Sequence, residues 1–191
     1  QGASALTNMP GLDVSLWKVT ETYPALRKIG DGKKGEVWDG AIASKFAGGD
    51  GSEVNPYIIE TAPQLFKAIS DLGKKGDGTA AYYLITEDIY LNEDYENYAE
   101  WGTTAPINNW GGTYSTSSFT GNLDGGYHTI YGMYYSQGGS YAGLVPYLSG
   151  DGAVISNLII ANSYVNNTTG NSTALFVGNL GNGKIEKCIA R

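Results

Sequence analysis

From Phe119 onward the chain repeats one pattern: a short apolar segment, a glycine turn, then a second apolar segment. Phe119-Thr120-Gly121-Asn122-Leu123, Leu144-Val145-Pro146-Tyr147-Leu148 and Phe176-Val177-Gly178-Asn179-Leu180 line up at offsets of 25 and 32 residues. The second segments are Thr129 to Tyr135, Val154 to Ile160 and Lys184 to Ala190. On this alignment Ile130, Ile155 and Ile185 share a position, as do Met133, Leu158 and Cys188. A unit this short cannot bury its own apolar face, so its copies must stack. The pattern therefore predicts an all-β solenoid of parallel strands spaced ~4.8 Å apart, with Ile130, Ile155 and Ile185 inward. With 28 glycines and 15 tyrosines in 191 residues, tight turns between β-favouring runs are plentiful.

One segment departs from this pattern. Tyr57 to Ile59 reads as a strand, and Thr61 to Gly73 as an amphipathic helix. Thr61 suits the N-cap, Pro63 the first turn and Gly73 the stop. Leu65, Ile69 and Leu72 recur at helical spacing beside Phe66 and Ala68. A helix ahead of a strand array is suited to cover the array's exposed end, where backbone groups lack partners.

Residues 1–34 differ in character. Trp17 to Thr20 predicts a strand and Tyr23 to Leu26 an extended stretch, with Gly30 to Gly35 a polar linker. Trp38 to Ile42 reads as a further strand, Phe46 to Glu53 as a glycine-rich turn, and Tyr82 to Ile85 and Ile89 to Leu91 as two more strands. Residues 92–118 form a long polar loop carrying Tyr95, Tyr98, Trp101, Trp110 and Tyr114. A loop of that length is either functional or wrongly assigned.

The formal net charge of −7 argues against a nucleic-acid partner. One cysteine, Cys188, excludes an internal disulfide and a thiolate metal cage. No apolar run reaches the ~20 residues of a membrane span. The chain does not begin with Met and is read as a piece of a longer precursor. His128 is the only histidine, so a two-histidine zinc site of the H-E-x-x-H kind is excluded, and His128 is assigned to a corner or the core. Glu87 with Asp88, Glu93 with Asp94, and Asp124 offer carboxylates for glycosidic acid–base cleavage; the plainer reading is turn chemistry and solubility. Asp50, Glu53 and Asn55 offer oxygens to calcium, but their spacing fits no EF-hand and a capped turn explains them. No cofactor and no metal is expected.

Leu175-Phe176-Val177-Gly178 followed by Gly183-Lys184-Ile185-Glu186-Lys187-Cys188 resembles a GLUG repeat, a motif of bacterial surface proteins that includes non-catalytic parts of some IgA-cleaving metallopeptidases. Phe46 to Ser52, Asn55 to Ile59 with Gln64-Leu65, and Phe119 to Gly126 with Ile130 resemble other parts of such modules. Trp17-Lys18-Val19 with Tyr23 to Leu26 resembles the closing strand of a preceding module. Pro146 departs from the pattern, which has glycine there. The resemblance implies a right-handed parallel β-helix, with residues 1–34 closing one module and 35–191 forming the next. It also implies an extracellular, cell-surface location and no catalytic residues.

The expected function is that of an adhesive or stalk segment lying between neighbouring domains of a larger chain. The ligand would be a glycan or a host or cell-surface protein. The rival is a carbohydrate-active enzyme, a polysaccharide lyase or glycoside hydrolase, on the same fold. Tyr95, Tyr98, Trp101, Trp110 and Tyr114 are the candidate binding surface, since aromatic rings stack on sugars and anchor interfaces. The alternative is that these rings pack against the strand array.

Overall fold

The structure is a computed structural model. It describes residues 17–19, 24–26, 35–110, 117–170 and 172–191. Strands β1 (Trp17–Val19) and β2 (Pro24–Leu26) pair antiparallel, with Lys18 opposite Ala25, where the sequence places extended segments. The expected linker at 30–34 lies outside the described residues.

Beyond these two strands the fold is all-β with parallel sheets and few helices. Strand β3 (Tyr57–Ile59) opens a five-stranded parallel sheet. It continues through β4 (Tyr82–Ile85), β6 (Asn122–Asp124), β11 (Val154–Ser156) and β16 (Lys184–Glu186). The ladder sets Tyr57, Tyr83, Leu123, Ile155 and Ile185 side by side. A second parallel sheet joins β5 (Ile89–Tyr90), β7 (Thr129–Tyr131), β12 (Ile159–Ala161) and β17 (Ile189–Ala190). Its ladder is Ile89, Ile130, Ile160 and Ala190. Three further parallel pairs follow. They join β8 (Tyr134–Gln137) to β13 (Tyr164–Asn167), β9 (Tyr141–Ala142) to β14 (Ser172–Thr173), and β10 (Val145–Leu148) to β15 (Val177–Leu180).

Residues 122–148 and 154–180 therefore pair strand for strand, and this register corrects the sequence alignment. Ile155 lies beside Ile185 as expected, but its partner on the other side is Leu123. Ile130 belongs to the second sheet, beside Ile160. Phe119 bridges to Leu148, whereas Leu144 carries no share of that pairing. Met133 lies one corner away from the place of Leu158 and Cys188, because it precedes β8 whereas they precede β12 and β17. The true spacing is 32 residues between Asn122 and Val154 and 30 between Thr129 and Ile159. The two-residue difference arises at one corner. Gly125 to His128 joins β6 to β7, while only Asn157 and Leu158 join β11 to β12. Ranking short apolar runs by similarity cannot see such a corner insertion, because each repeat contains several interchangeable runs.

The corners use left-handed backbone. Asn157 and Lys187, at matching corners, have φ 51° and 52°. Asn can take this conformation because its short amide bonds locally, and the Asn157 amide donates to Asp124 Oδ1 at 3.0 Å. Between the corners the strands alternate as a half-buried sheet demands. Tyr83, Leu123 and Ile155 are buried while Tyr82, Asn122 and Ser156 are not. Ile185 is 37% exposed and Ile189 51%, because β16 and β17 are edge strands of their sheets.

The single α-helix among the described residues, α1 (Ala62–Ser70), buries Ala62, Leu65, Phe66, Ala68 and Ile69 in the same core as the strands. Thr61 has the extended backbone of an N-cap, but its hydroxyl makes no capping bond. Gln64 Oε1 instead accepts the Glu60 N–H at 2.8 Å, reaching back across the helix start. The stop also differs from expectation. Leu72 (φ 58°) takes the left-handed position, with its N–H donating to Ile69 O and that of Gly73 donating to Ala68 O. This is the Schellman closure, and it puts Leu72 just past the helix and only half-buried. Trp38 to Ile42 forms no strand. Gly40 (φ 86°) breaks the extended run, and Trp38 is held by one backbone bond to Tyr90 O and by its indole N–H to Ala41 O.

Candidate functional site

The aromatic loop was the surface singled out from sequence, and its fastening decides what it can do. Asn92 is 2% exposed, and its amide donates to Asn108 O and Gly132 O and accepts the Asn108 N–H, each at 2.9 Å. The Asn108 amide in turn donates to Leu91 O at 3.0 Å and to Trp38 O. The first part of the loop thus leaves at Asn92 and comes back to it at Asn108 through a polar knot of five side-chain hydrogen bonds.

What the loop carries then packs inward. Trp110 is 1% exposed and donates its indole N–H to Leu144 O at 3.0 Å. Its ring lies against Trp38 and edge-on to Phe66. Trp101, 4% exposed, meets Tyr134 edge-on at 5.9 Å. Tyr95 is half-buried and tilts against Tyr90 and Tyr131, themselves stacked at 5.2 Å. These placements correct the expectation that Trp101 and Trp110 form a binding platform: a ring that is almost wholly buried offers no face to a sugar. Of the five rings, Tyr98 alone stands 38% exposed, and Tyr114 lies outside the described residues. Residues Tyr95–Glu100 also form short 3-10 turns where an irregular loop was expected.

A sequence signal for this packing existed. Ile89-Tyr90-Leu91 and Met133-Tyr134-Tyr135 are apolar without alternation, so both faces of these strands needed cover. The core covers one face, and the loop rings cover the other.

Of the acidic candidates, Asp88, Asp124 and Asp50 are held in turn and corner hydrogen bonds. Asp88 Oδ1 accepts the Thr129 N–H at 2.9 Å and lies 3.4 Å from His128 Nδ1. Asp124 Oδ1 accepts from Gly126 N–H and Asn157 Nδ2. His128 sits at the β6–β7 corner, half-buried. Asp50 accepts the Ser52 N–H at 2.9 Å. The Ser52 hydrogen bonds, helped by Asn55, hold its carboxyl at about 2. Among the described residues no group of three or more metal-ligating side chains converges.

Sequence reasoning missed a cleft of about 680 Å³ beside α1, lined in part by Lys45, Phe46, Tyr57, Lys67, Lys74 and Lys75. Phe46 and Tyr57 stack at 4.5 Å to form its aromatic wall. One side is the glycine-rich turn, pinned to β3 by Ile58 N–H to Gly48 O and Ala47 N–H to Ile58 O. Gly49 (φ 80°) is obligatory there, since a Cβ would overlap the Pro56 carbonyl. The other side is a tight turn in which Lys75 N–H donates to Thr79 O and Gly78 N–H to Lys75 O, both at 2.8 Å. Asp71 also lines the cleft but is paired with Lys67 at 2.9 Å, and Lys67 lies over the Phe46 ring. The lysines are scattered in sequence, and only the return of the chain beside β3 brings Lys45 to Lys74 and Lys75. The pair Lys74-Lys75 after an amphipathic helix was the one hint.

No known protein family's profile matches the chain, and no solved structure matches it. Over 128 residues, 65% of the chain, it is 29% identical to a protein of Evansella cellulosilytica named "Putative Gly-rich membrane protein". The chain spans about 13% of that curated relative's length. No helix among the described residues is long and apolar enough to cross a membrane.

Proposed function

We propose that residues 57–191 are successive turns of a right-handed parallel β-helix, begun by α1 as a cap, and that this is a non-catalytic adhesive or stalk segment of a bacterial cell-surface protein. The observation that carries the reading is the strand-for-strand parallel pairing of residues 122–148 with 154–180. A rod built this way lengthens by about 4.8 Å per turn without redesigning its core, which suits a spacer between domains. The resemblance to GLUG repeats supports the surface location. So does the bacterial relative, of which this chain spans a small part and whose name places it in a membrane. Residues 1–34 then end a preceding module.

Antibodies raised against the purified chain should label intact cells of the source organism, and brief external protease treatment should remove the label. Labelling that requires permeabilised cells would contradict a surface location.

A further inference from the structure

The lysine-lined cleft beside α1 has a lining of definable chemistry. We infer that it takes a saccharide bearing one or a few acidic groups, through Lys45, Lys74 and Lys75 and the Phe46–Tyr57 wall. The inference deepens the adhesive part of the reading above and rests on it.

Three observations carry it. First, the local charge opposes the global one. In a chain of net charge −7, four lysines and one aspartate line this cleft, and that aspartate is already paired with Lys67. The nearby Asp50 and Asp77 accept hydrogen bonds within their own loops, Asp50 from the Ser52 N–H and Asp77 from the Thr79 N–H and hydroxyl. Both also lie in the field of Lys75, which leaves Lys45 and Lys74 as the stronger anion partners. Second, the site is built before any ligand arrives. Both walls are short turns closed by backbone bonds, one bridging Gly48 to Ile58 and the other Lys74 to Ala80, so little order is left to impose on binding. Third, the lining combines an aromatic wall with ammonium groups and exposed glycine backbone at Gly76 and Gly78. Tyr57 and Lys67 take the faces of the Phe46 ring, so the wall offers ring edges to the C–H groups of a sugar, while ammonium groups meet a carboxylate or sulfate as point charges, and a volume of about 680 Å³ falls within the range of ligand sites.

The rest of the surface selects against a polyanion. A long nucleic acid or heavily sulfated chain would meet the overall negative field on leaving the cleft, whereas a singly charged sugar would not. Among the described residues no arginine lines the cleft, so the bidentate recognition typical of phosphate sites is missing from them.

The test is titration calorimetry on the full chain with lactose, sialyllactose and sulfolactose, which share a neutral core and differ in acidic group. A short single-stranded oligonucleotide is a fourth probe. The expected result is binding of one or both acidic sugars, at least about tenfold tighter than lactose, weakening as salt rises. The sialylated and sulfated arms tell carboxylate from sulfate as the preferred group. Lys74→Gln with Lys75→Gln should weaken that binding roughly tenfold at unchanged melting temperature, while Lys187→Gln at the far end of the stack should leave it unaltered. Equal binding of lactose and the acidic sugars, tighter binding of the oligonucleotide, or an equal loss on Lys187→Gln would each overturn the inference. Absence of binding to every probe would also overturn it. None of these outcomes touches the intact-cell labelling that tests the surface reading.

Discussion

Trp110 supplies a ring to the core and an N–H to Leu144 O, so its removal leaves both a cavity and an unanswered carbonyl. Trp110→Ala should cost ~3–5 kcal/mol in chemical denaturation. Tyr98→Ala, at the one exposed ring described in the same loop, should stay within about 0.5 kcal/mol. Equal and small losses for both would mean that Trp110 is a surface ring after all. Asp50 makes a prediction in pH. Its carboxyl is held down from 3.8 to about 2, chiefly by the Ser52 hydrogen bonds. A depressed carboxyl stabilises the fold fully above its unfolded value and loses that contribution as pH falls through its folded value. The contribution should therefore fade between about pH 3.8 and pH 2. Melting temperatures of wild type and Asp50→Ala should differ at neutral pH and converge toward pH 2; a gap that stays constant across that window would contradict the assignment. These residue-level roles were partly readable beforehand. Turn chemistry at Asp50, Asp124 and His128 follows from flanking glycines. The fate of the tryptophans does not, because a packing ring and a binding ring look alike until their neighbours in space are known.

Among the elements, α1 ties the start of the strand array together. Leu65 is wholly buried and Ile69 nearly so, whereas Ser70 faces solvent. Leu65→Ala should cost ~2–5 kcal/mol, and Ser70→Ala should be nearly silent. A Leu65→Ala variant with an unchanged unfolding midpoint would remove the helix from the core. Helical periodicity and Pro63 made this element legible, as did the β-rich runs at Tyr57, Tyr82 and Ile89. Its ends were less so. The Thr61 hydroxyl is unused, and the left-handed stop falls on Leu72, because tertiary packing of Gly73 against Gly121 sets where the chain must turn. The Trp38 segment was misread for a similar reason. Trp38 alone of the segment is buried, and Gly40 with a single backbone bond to Tyr90 leaves the rest exposed and not a strand.

At the scale of the molecule, repetition was evident and its register partly so: Leu144 to Leu148 lies against Phe176 to Leu180 and Ile155 beside Ile185 as aligned, whereas Phe119 to Leu123 and Ile130 were set against the wrong runs. Each segment of about 30 residues holds five short apolar strands, and any of them resembles any other when compared as a run. The corner from Gly125 to His128 cuts the spacing from 32 to 30 residues, and it is 32 again where β10 meets β15, so no single period marks which runs belong together. The lysine cleft was hidden more deeply, since it exists only where the glycine-rich turn and the segment after α1 meet around β3. Parallel, in-register stacking of these segments underlies every role assigned to the strands, and backbone NMR cross-peaks test it most directly. Close Hα–Hα contacts across a strand pair belong to antiparallel sheets, and parallel strands lack them. The stacking predicts side-chain cross-peaks linking Tyr83 to Leu123, Leu123 to Ile155 and Ile155 to Ile185, with no strong Hα–Hα peak between their strands. Strong Hα–Hα peaks across β6 and β11, or a spectrum that sets Ile130 beside Ile155 on one ladder, would contradict it.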